Sequence, residues 1–386
     1  MMKRKLRMGM IGGGKDAFIG AIHRIAANMD GLIELVCGAL SSSPGKAIES
    51  GRTLFLPEDR IYPNYEEMIL QESRLPAGER MDFVSIVTPN HAHFAPAMMA
   101  LEHGFHVVID KPITFTLEEA KLLKKKTEET GLSLLLTHTY AGYPMVKQAR
   151  EMVKAGELGK IRKIIVEYPQ GWLSRLSEKD GNPQAAWRTD PSRSGKSGCM
   201  GDIGTHAAHL AEYISGLKIT QLCADLSIVV DGRALDDDGN VLLKFDNGSN
   251  GVLIASQIAA GEENALRIRV YGEKGGLEWA QQEPNTLILK WLDAPVQILR
   301  AGGHQLSSYA AFNSRTPGGH PEGYLEAFAN LYRNFALCVS AKNEGIKAAP
   351  EAYDYPSVDE GIRGMAFINN VVNSSLSNDK WTNFEV

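Results

Sequence analysis

Two short stretches of the sequence contain residues whose types and spacing suit proton transfer and the stabilisation of a charged oxygen. Asp202 and His206 lie four residues apart, so a helix places both side chains on one face. A carboxylate beside an imidazole orients the ring and raises its basicity, which suits a general base near neutral pH. Lys111 stands between an aspartate and a proline, and an ammonium group can stabilise negative charge on an oxygen. An isolated Asp-x-x-x-His, however, is more often a helix-start aspartate followed by a buried histidine.

The lysine follows a segment that is typical of a buried β-strand. Residues 106–109 are rich in β-branched side chains, and similar runs separated by helical patterns occur at 6–12, 32–40, 83–89 and 132–140. This alternation predicts a parallel sheet that is covered on both faces. In such a sheet ligands bind outside the carboxyl ends of the strands. Residues 88–93 (TPNHAH) and 110–112 (DKP) both follow a strand, so we expect them at one edge.

A glycine-rich turn follows the first predicted strand. Gly12, Gly14 and Ala17 fit a G-x-G-x-x-A version of the dinucleotide fingerprint, with Lys15 inside it. Gly12 suits the tight turn, and Gly14 lets the backbone approach a pyrophosphate. A small residue at position 17 lets the following helix pack on the strand, and its N–H groups face the phosphates. The position between a strand and a helix favours nucleotide binding over a purely structural turn.

The acidic residue that usually completes this fingerprint, at the end of the second strand, is missing. That strand ends in Ala39-Leu40-Ser41-Ser42-Ser43, and Glu34 lies at its other end. Without the acid a 2′-phosphate is not repelled, and the hydroxyls together with Lys46 can accept one. NAD can bind through Ser41, Ser42 and the backbone. The pattern leaves NAD and NADP open, and we favour NAD.

After about residue 142 the predicted elements change from short strands alternating with helices to longer strand segments, which predicts a second domain. Longer alternating segments at 160–168, 221–230, 240–258 and 265–279 are typical of an antiparallel sheet, with hairpin signals at DNGS and GEKGG. The predicted fold class is therefore α/β. It has a Rossmann NAD(P)-binding domain at 1–142 and an α+β domain with a large, mainly antiparallel open sheet at 143–386. The second domain is expected to bind substrate and to carry oligomer contacts.

Composition excludes several classes of protein. The 41 Lys and Arg against 46 Asp and Glu give 41 − 46 = −5, which argues against a nucleic-acid binder. The sequence contains no long apolar run that predicts a membrane span. The four cysteines are scattered, which suits reduced thiols in a cytoplasm and argues against a cysteine metal site. His91 and His93 form an H-x-H pair without further ligands, so we expect no metal.

The combined motifs GGGKDA, TPNHAH, DKP and GDIGTH resemble those of the Gfo/Idh/MocA oxidoreductases. The resemblance implies that Thr88, Asn90, His93 and Asp110 contribute to the cofactor site. It also implies that Lys111, beside the nicotinamide, acts with Asp202 and His206 as catalytic residues. The family's motif is E-K-P, so Asp110 is one methylene shorter than the usual glutamate. The family's Lys-Pro bond is often cis, and we expect the same of Lys111–Pro112 against a low base rate for X-Pro bonds.

Further polar and aromatic residues suit a polyhydroxylated ring. Tyr168, Trp187 and Arg188 are candidate substrate residues beside Asp202 and His206, although a tryptophan is equally common in a core. Nearly the whole chain resembles the levoglucosan-dehydrogenase-like and related sugar dehydrogenases of this family.

The resemblance implies an NAD(P)-dependent dehydrogenase that transfers hydride from a secondary hydroxyl of a sugar, sugar derivative or cyclitol to nicotinamide C4. Either Lys111 or His206 takes the proton. Two alternatives remain open: a non-redox enzyme that oxidises its substrate transiently for elimination or glycoside cleavage, and a non-catalytic dinucleotide sensor. The resemblance also implies a homodimer or homotetramer.

Overall fold

The computed structural model describes residues 2–15 and 17–386, so Asp16 in the glycine turn lies outside the described residues. The chain forms two compact units. The first contains residues 1–139 and 324–361, and the second contains residues 140–323 and 362–386. Among the described residues no helix is long and apolar enough to cross a membrane.

The first unit is built on a five-stranded sheet with the order β2-β1-β3-β4-β5, in which every strand pair is parallel. Its strands are β1 (Leu6–Gly12), β2 (Ile33–Ala39), β3 (Phe83–Val87), β4 (His106–Ile109) and β5 (Leu134–Leu136). Its first helices are α1 (Phe18–Asn28), α2 (Pro44–Thr53), α3 (Tyr65–Arg74), α4 (Phe94–Glu102) and α5 (Leu117–Thr130). The predicted parallel Rossmann sheet is confirmed.

Local sequence signals account for several boundaries of these elements. Helix α5 begins with a full capping box, in which Thr116 accepts from the backbone of Glu119 and the Glu119 side chain accepts from Thr116. It ends at Gly131, whose φ of 65° suits the left-handed cap. Strand β5 is shorter than the predicted 132–140 because the chain turns after Leu136, where the His138 N–H donates to the Leu136 carbonyl.

The second unit contains a nine-stranded sheet with the order β13-β12-β11-β10-β6-β9-β8-β7-β14. Its elements up to residue 312 are α6 (Pro144–Lys154), β6 (Lys163–Pro169), α7 (Pro183–Arg188), α8 (Pro191–Ser194), α9 (Thr205–Ser215), β7 (Ile219–Ser227), β8 (Asp238–Phe245), β9 (Asn250–Ser256), β10 (Arg267–Tyr271), β11 (Gly275–Ala280), β12 (Thr286–Trp291), β13 (Gln297–Arg300) and α10 (Ser308–Phe312). The chain then forms α11 (Tyr324–Asn343), α12 (Val358–Leu376) and β14 (Thr382–Asn383).

This second sheet is largely antiparallel, as the alternating segments predict. The one parallel pair joins β6 to β9. The two hairpin signals are confirmed: β8 and β9 pair around the DNGS turn, and β10 and β11 pair around the GEKGG turn. Helices α6 and α9 pack on strands of this sheet.

Helix α11 packs on the first unit, although the sequence division placed residues 324–361 in the second domain. Its aromatic side chains Phe328, Tyr332 and Phe335 are buried. Phe328 contacts His23 of α1, and Phe335 contacts Phe83 of β3. The spacing of these aromatics forms one apolar face, which packs beside α1 in the first core. A single linear boundary near residue 142 therefore does not describe how the chain is divided.

Candidate active site

The glycine turn packs so closely against its neighbours that it leaves no room for a side chain at Gly12 or Gly14. Gly12 has a φ of 78°, and a Cβ atom there would lie 3.0 Å from Thr88. A Cβ atom on Gly14 would lie 2.6 Å from Ser50 Oγ and 2.7 Å from the Leu40 carbonyl oxygen. The N-terminal end of α1 at Ala17 receives no side-chain cap. These features fit a dinucleotide pyrophosphate against the helix N-terminus.

Helix α2 makes two contacts with the glycine turn. The Lys15 N–H donates to Ser50 Oγ at 3.0 Å, and the Lys15 ammonium lies 2.6 Å from a carboxylate oxygen of Glu49. Ser41 and Ser42 follow β2, and the Leu40 carbonyl before them accepts from the Gly14 N–H. The structure therefore brings the glycine turn and the start of the serine run together.

His93 joins the two polar stretches at the strand ends. Its ring nitrogens lie 2.8 Å from the carbonyl oxygen of Thr88 and 2.8 Å from that of Pro112. Burial lowers the pKa of His93, so the neutral ring donates to one of these carbonyls at a time. Asn90 is also buried in this region. The His93 ring therefore links the backbone of residues 88–93 to that of residues 110–112.

The Lys111–Pro112 peptide bond is cis, which confirms the expectation from the motif. The preceding Asp110 side chain is partly exposed and is held through Oδ1. This oxygen accepts from Thr137 Oγ1 at 2.7 Å and from the Lys111 N–H at 2.9 Å. The shorter carboxylate in the D-K-P motif is therefore fixed by a neighbouring strand end and by its own turn.

In the second unit, a buried aspartate anchors the segment that carries Asp202. The carboxylate of Asp236 accepts from the backbone N–H groups of Gly198 and Met200, both at 2.9 Å, and from Ser197 Oγ. A Cβ atom on Gly198 would lie 2.5 Å from the Asp236 carbonyl oxygen, which explains the glycine there. A π-helical turn over Met200–Gly204 then leads into α9.

Asp202 is held by two donors from outside its own helix. Its Oδ2 atom accepts from Arg188 Nε at 3.1 Å and from Gln257 Nε2 at 2.9 Å. The Arg188 guanidinium also lies 4.3 Å from the centre of the Trp187 ring. The structure thus brings Asp202, Arg188 and Trp187 together.

His206 is buried on α9 beside two tyrosines. Its ring centre lies 4.9 Å from that of Tyr140 and 6.4 Å from that of Tyr168. The hydroxyls of Tyr140 and Tyr168 are hydrogen bonded, and Tyr168 donates to Asn264 Oδ1 at 2.7 Å. Burial raises the pKa of Tyr140, so its hydroxyl stays protonated near neutral pH.

The sequence interpretation did not identify Tyr140, Gln257, Asn264 or Asp236. Tyr140 follows the last strand of the first sheet, where ligands bind in such folds, so its position carried a usable signal. Gln257 and Asn264 lie after β9 and before β10, and no local motif marks them. Within the described residues, no group of three or more His, Cys, Asp or Glu could hold a metal ion.

Comparison with known proteins identifies the family of the chain. Residues 6–138 match the family model "Oxidoreductase family, NAD-binding Rossmann fold", and residues 146–278 match "GFO/IDH/MocA C-terminal domain". The chain is also 33% identical to the uncharacterized oxidoreductase YfiI of Bacillus subtilis, over 100% of this chain and 98% of that protein. The chain belongs to the Gfo/Idh/MocA oxidoreductase family. It is therefore an oxidoreductase with an NAD-binding Rossmann fold, as the motifs predict.

Other members of the family have named activities or ligands. The structure is similar to that of an inositol dehydrogenase homologue from Azotobacter vinelandii complexed with NAD+, with a TM-score of 0.94 and 35% identity, covering 99% of this chain and 98% of that one. The complex of an Azotobacter vinelandii inositol dehydrogenase homologue with NADH and myo-inositol has a TM-score of 0.91 and 34% identity, with the same coverage. Levoglucosan dehydrogenase of Pseudarthrobacter phenanthrenivorans is 26% identical over 71% of this chain and 73% of that protein.

Proposed function

We propose that the protein is an NAD-dependent dehydrogenase that oxidises a secondary hydroxyl of a sugar, a sugar derivative or a cyclitol. The observation that carries this proposal is the full-length similarity to a relative described with NADH and myo-inositol. The present chain contains the three residues that we assign to the chemistry, Lys111, Asp202 and His206.

The cofactor half of the proposed site lies in the first unit. Gly12, Gly14 and the N-terminus of α1 would hold the pyrophosphate, and Ser41 and Ser42 would bind the adenosine ribose. The residues that would surround the nicotinamide end are Thr88, Asn90, His93, Asp110 and Lys111. When bound, NAD supplies a nicotinamide ring that accepts hydride.

The contact between Lys15 and Glu49 supports NAD over NADP. The carboxylate of Glu49 lies on α2, next to the turn that would hold the pyrophosphate. It already neutralises Lys15, a cation that could otherwise attract a second phosphate. Because its charge is compensated in this ion pair, Lys15 attracts a 2′-phosphate less strongly than an unpaired lysine would.

The proposed proton chemistry uses Lys111, His206 and Asp202. Lys111 would donate to the reacting oxygen and stabilise its alkoxide-like charge. His206 would accept or relay the hydroxyl proton. The negative charge of Asp202 would raise the basicity of the imidazole. Arg188 and Gln257 both donate hydrogen bonds to the Asp202 carboxylate and so help to fix its orientation.

The composition of the second half-site supports a polyhydroxylated substrate. Hydroxyl groups of a sugar ring need donors and acceptors, while its C–H faces suit an aromatic platform. Arg188 packs on Trp187 and also lies 5.7 Å from the ring of Trp172. Gln170 donates to Asn264, which accepts from Tyr168 as well. Amide, aromatic and charged groups therefore occur together in the same unit as His206.

A panel of substrates tests the proposal. Purified protein would be incubated with myo-inositol, other cyclitols, levoglucosan and aldohexoses, each with NAD and with NADP, while the reduced-nicotinamide absorbance is followed. We expect NADH formation with at least one member and a higher kcat/KM with NAD than with NADP. Conversion of a substrate without net NADH formation would instead support transient oxidation, and the absence of turnover with bound NAD would support a sensor.

A further inference from the structure

Three fully buried polar side chains meet in the core of the first unit. His23 lies on α1, Ser85 on β3 and Tyr332 on α11, and all three have no exposed surface. The Tyr332 hydroxyl lies 2.7 Å from His23 Nδ1 and 2.8 Å from Ser85 Oγ. The edge of the His23 ring also packs against Phe328. Polar groups at this depth carry a desolvation penalty, so their arrangement calls for a specific reason.

The other ring nitrogen of His23 faces the motif that contains Lys111. His23 Nε2 is buried, has no hydrogen-bond partner among the described residues, and lies 4.0 Å from Asp110 Oδ1. This distance is too long for a hydrogen bond, but it allows a strong charge–dipole interaction in a buried site. Burial lowers the pKa of His23 to about 4, so the ring is neutral near pH 7.

The charge of Asp110 selects one of the two neutral forms of His23. A proton on Nε2 points a positive dipole end at the carboxylate, whereas a lone pair there is repelled by it. Nδ1 must then accept. The Tyr332 hydroxyl, at 2.7 Å, is the nearer donor to Nδ1, since Ser85 Oγ lies 3.3 Å away, and the Ser85 hydroxyl can then donate to Tyr332 at 2.8 Å. In this arrangement the proton of each buried hydroxyl and of the imidazole points along the chain of contacts toward Asp110.

Three positive dipole ends therefore converge on one oxygen of Asp110. The Nε2–H group of His23 faces Oδ1, and the same oxygen accepts from Thr137 and from the backbone of Lys111. No hydrogen bond to Oδ2 is made by the described residues, and the Asp110 side chain is 19% exposed. The carboxylate is held through one oxygen and keeps the other available for a ligand.

We propose that His23 is a positioning residue that fixes Asp110 so that its Oδ2 accepts a hydroxyl of the nicotinamide-side ribose. This inference rests on the proposed function, because it concerns the same cofactor. It gives the shorter carboxylate of the D-K-P motif a defined orientation through a neutral histidine behind the sheet. Ser85 and Tyr332 act through His23 by fixing its tautomer.

Two substitutions at His23 separate positioning from packing. The side-chain nitrogen of Asn mimics Nδ1 of histidine, whereas that of Gln reaches the position of Nε2. We expect His23→Asn to weaken NAD binding about tenfold, the size of one lost interaction with a charged group. His23→Gln should stay within about threefold of the wild-type value, because it keeps an N–H group near Asp110.

The binding of ADP supplies the internal reference, because ADP has the adenosine and pyrophosphate but no nicotinamide-side ribose. Calorimetry should show that His23→Asn changes the Kd for ADP by less than about twofold. The matched control is His106→Asn, a second buried histidine of this unit, on β4, whose Nδ1 accepts from the Ser133 N–H. This control should leave both dissociation constants unchanged.

Nitrogen-15 NMR of the wild-type protein tests the same inference without a substitution. His23 should be neutral near pH 7 with its proton on Nε2, and Tyr332→Phe should reduce the population of that tautomer. A proton on Nδ1 in the wild type, equal loss of NAD and ADP binding in His23→Asn, or wild-type affinity in that variant would each overturn the inference. Wild-type NADH formation in the same experiments would leave the proposed function standing. A wild-type protein that binds no NAD would overturn both.

Discussion

Lys111 and His206 are the residues on which the proposed chemistry depends most directly. Lys111→Ala removes the cation that stabilises the developing alkoxide, and His206→Ala removes the imidazole that takes the proton. We expect each change to lower kcat by a factor on the order of 10² or more. Steady-state kinetics with the best substrate of the panel measures the effect. Lys125→Ala, at an exposed position on α5, is the matched control, and near-normal turnover of both site variants would contradict the assignment.

Gln257 offers a way to examine Asp202 without removing it. Gln257→Glu places a second carboxylate beside Asp202, and repulsion between like charges raises the apparent pKa of the pair. The acid limb of the kcat–pH profile should therefore move to higher pH. Gln257→Leu is the matched control, because it removes the 2.9 Å hydrogen bond without adding charge. Identical profiles for the two variants would show that the charge of Asp202 does not govern turnover.

At the scale of secondary-structure elements, the start of α9 depends on a residue from another part of the chain. Asp236→Asn weakens three hydrogen bonds to residues 197–200 and turns an amide donor toward N–H groups. We expect a loss of about 2 kcal/mol in the free energy of unfolding. Because the same segment carries Asp202, kcat should fall as well.

Urea denaturation and kinetics of Asp236→Asn measure these two effects. Asp246→Asn, in the exposed turn between β8 and β9, serves as the control and should change neither quantity. If Asp236→Asn lowered stability but left kcat at the wild-type value, the segment would tolerate the loss of its anchor.

On the scale of the whole molecule, buried histidines make the free energy of unfolding depend on pH. Burial lowers the pKa of His23 and of His106 to about 4, whereas an unfolded histidine titrates near 6.5. Between these values the unfolded chain binds more protons, so the free energy of unfolding falls as the pH drops. Each histidine contributes a loss of about 3 kcal/mol across this window. Denaturation curves from pH 7 to pH 4 should show a smaller fall for His106→Asn, and an unchanged fall would contradict this cause.

The second sheet has a face that suits association with another copy of the chain. One row of facing residues crosses eight of its strands: Cys223, Leu242, Val252, Ile165, Arg269, Glu278, Ile288 and Ile298. None of them is fully buried, and Leu242 and Ile298 are 46% and 55% exposed. Apolar side chains in such a row favour burial against a partner.

We therefore expect a homodimer or homotetramer that covers this face. Leu242→Asp should shift the protein to a smaller species in sedimentation velocity, because association would bury the new charge. Leu122→Asp, at a similarly exposed position on α5, should leave the assembly unchanged. A wild-type protein that sediments as a monomer would contradict the expectation.

Much of the architecture follows from signals that are local in the chain. The parallel strands, the two hairpins and the capping box of α5 were all predictable, because period, turn residues and caps act over a few residues. Motif spacing also marked Gly12, Lys111, Asp202 and His206 as one set of candidates. The cis bond before Pro112 followed from the motif as well.

Only the tertiary structure determined which distant residues support the candidate site residues. Gln257 and Asp236 support Asp202 and its segment, and Tyr332 of α11 reaches His23, more than 300 positions away along the chain. Such contacts depend on the packing of whole elements, and no local period or motif encodes them. For the same reason the sequence interpretation assigned residues 324–361 to the second domain. An apolar helix face predicts that the helix packs against a core, but it does not identify which core. The sequence by itself determined the strands, turns and motif residues, whereas tertiary packing determined their supporting partners.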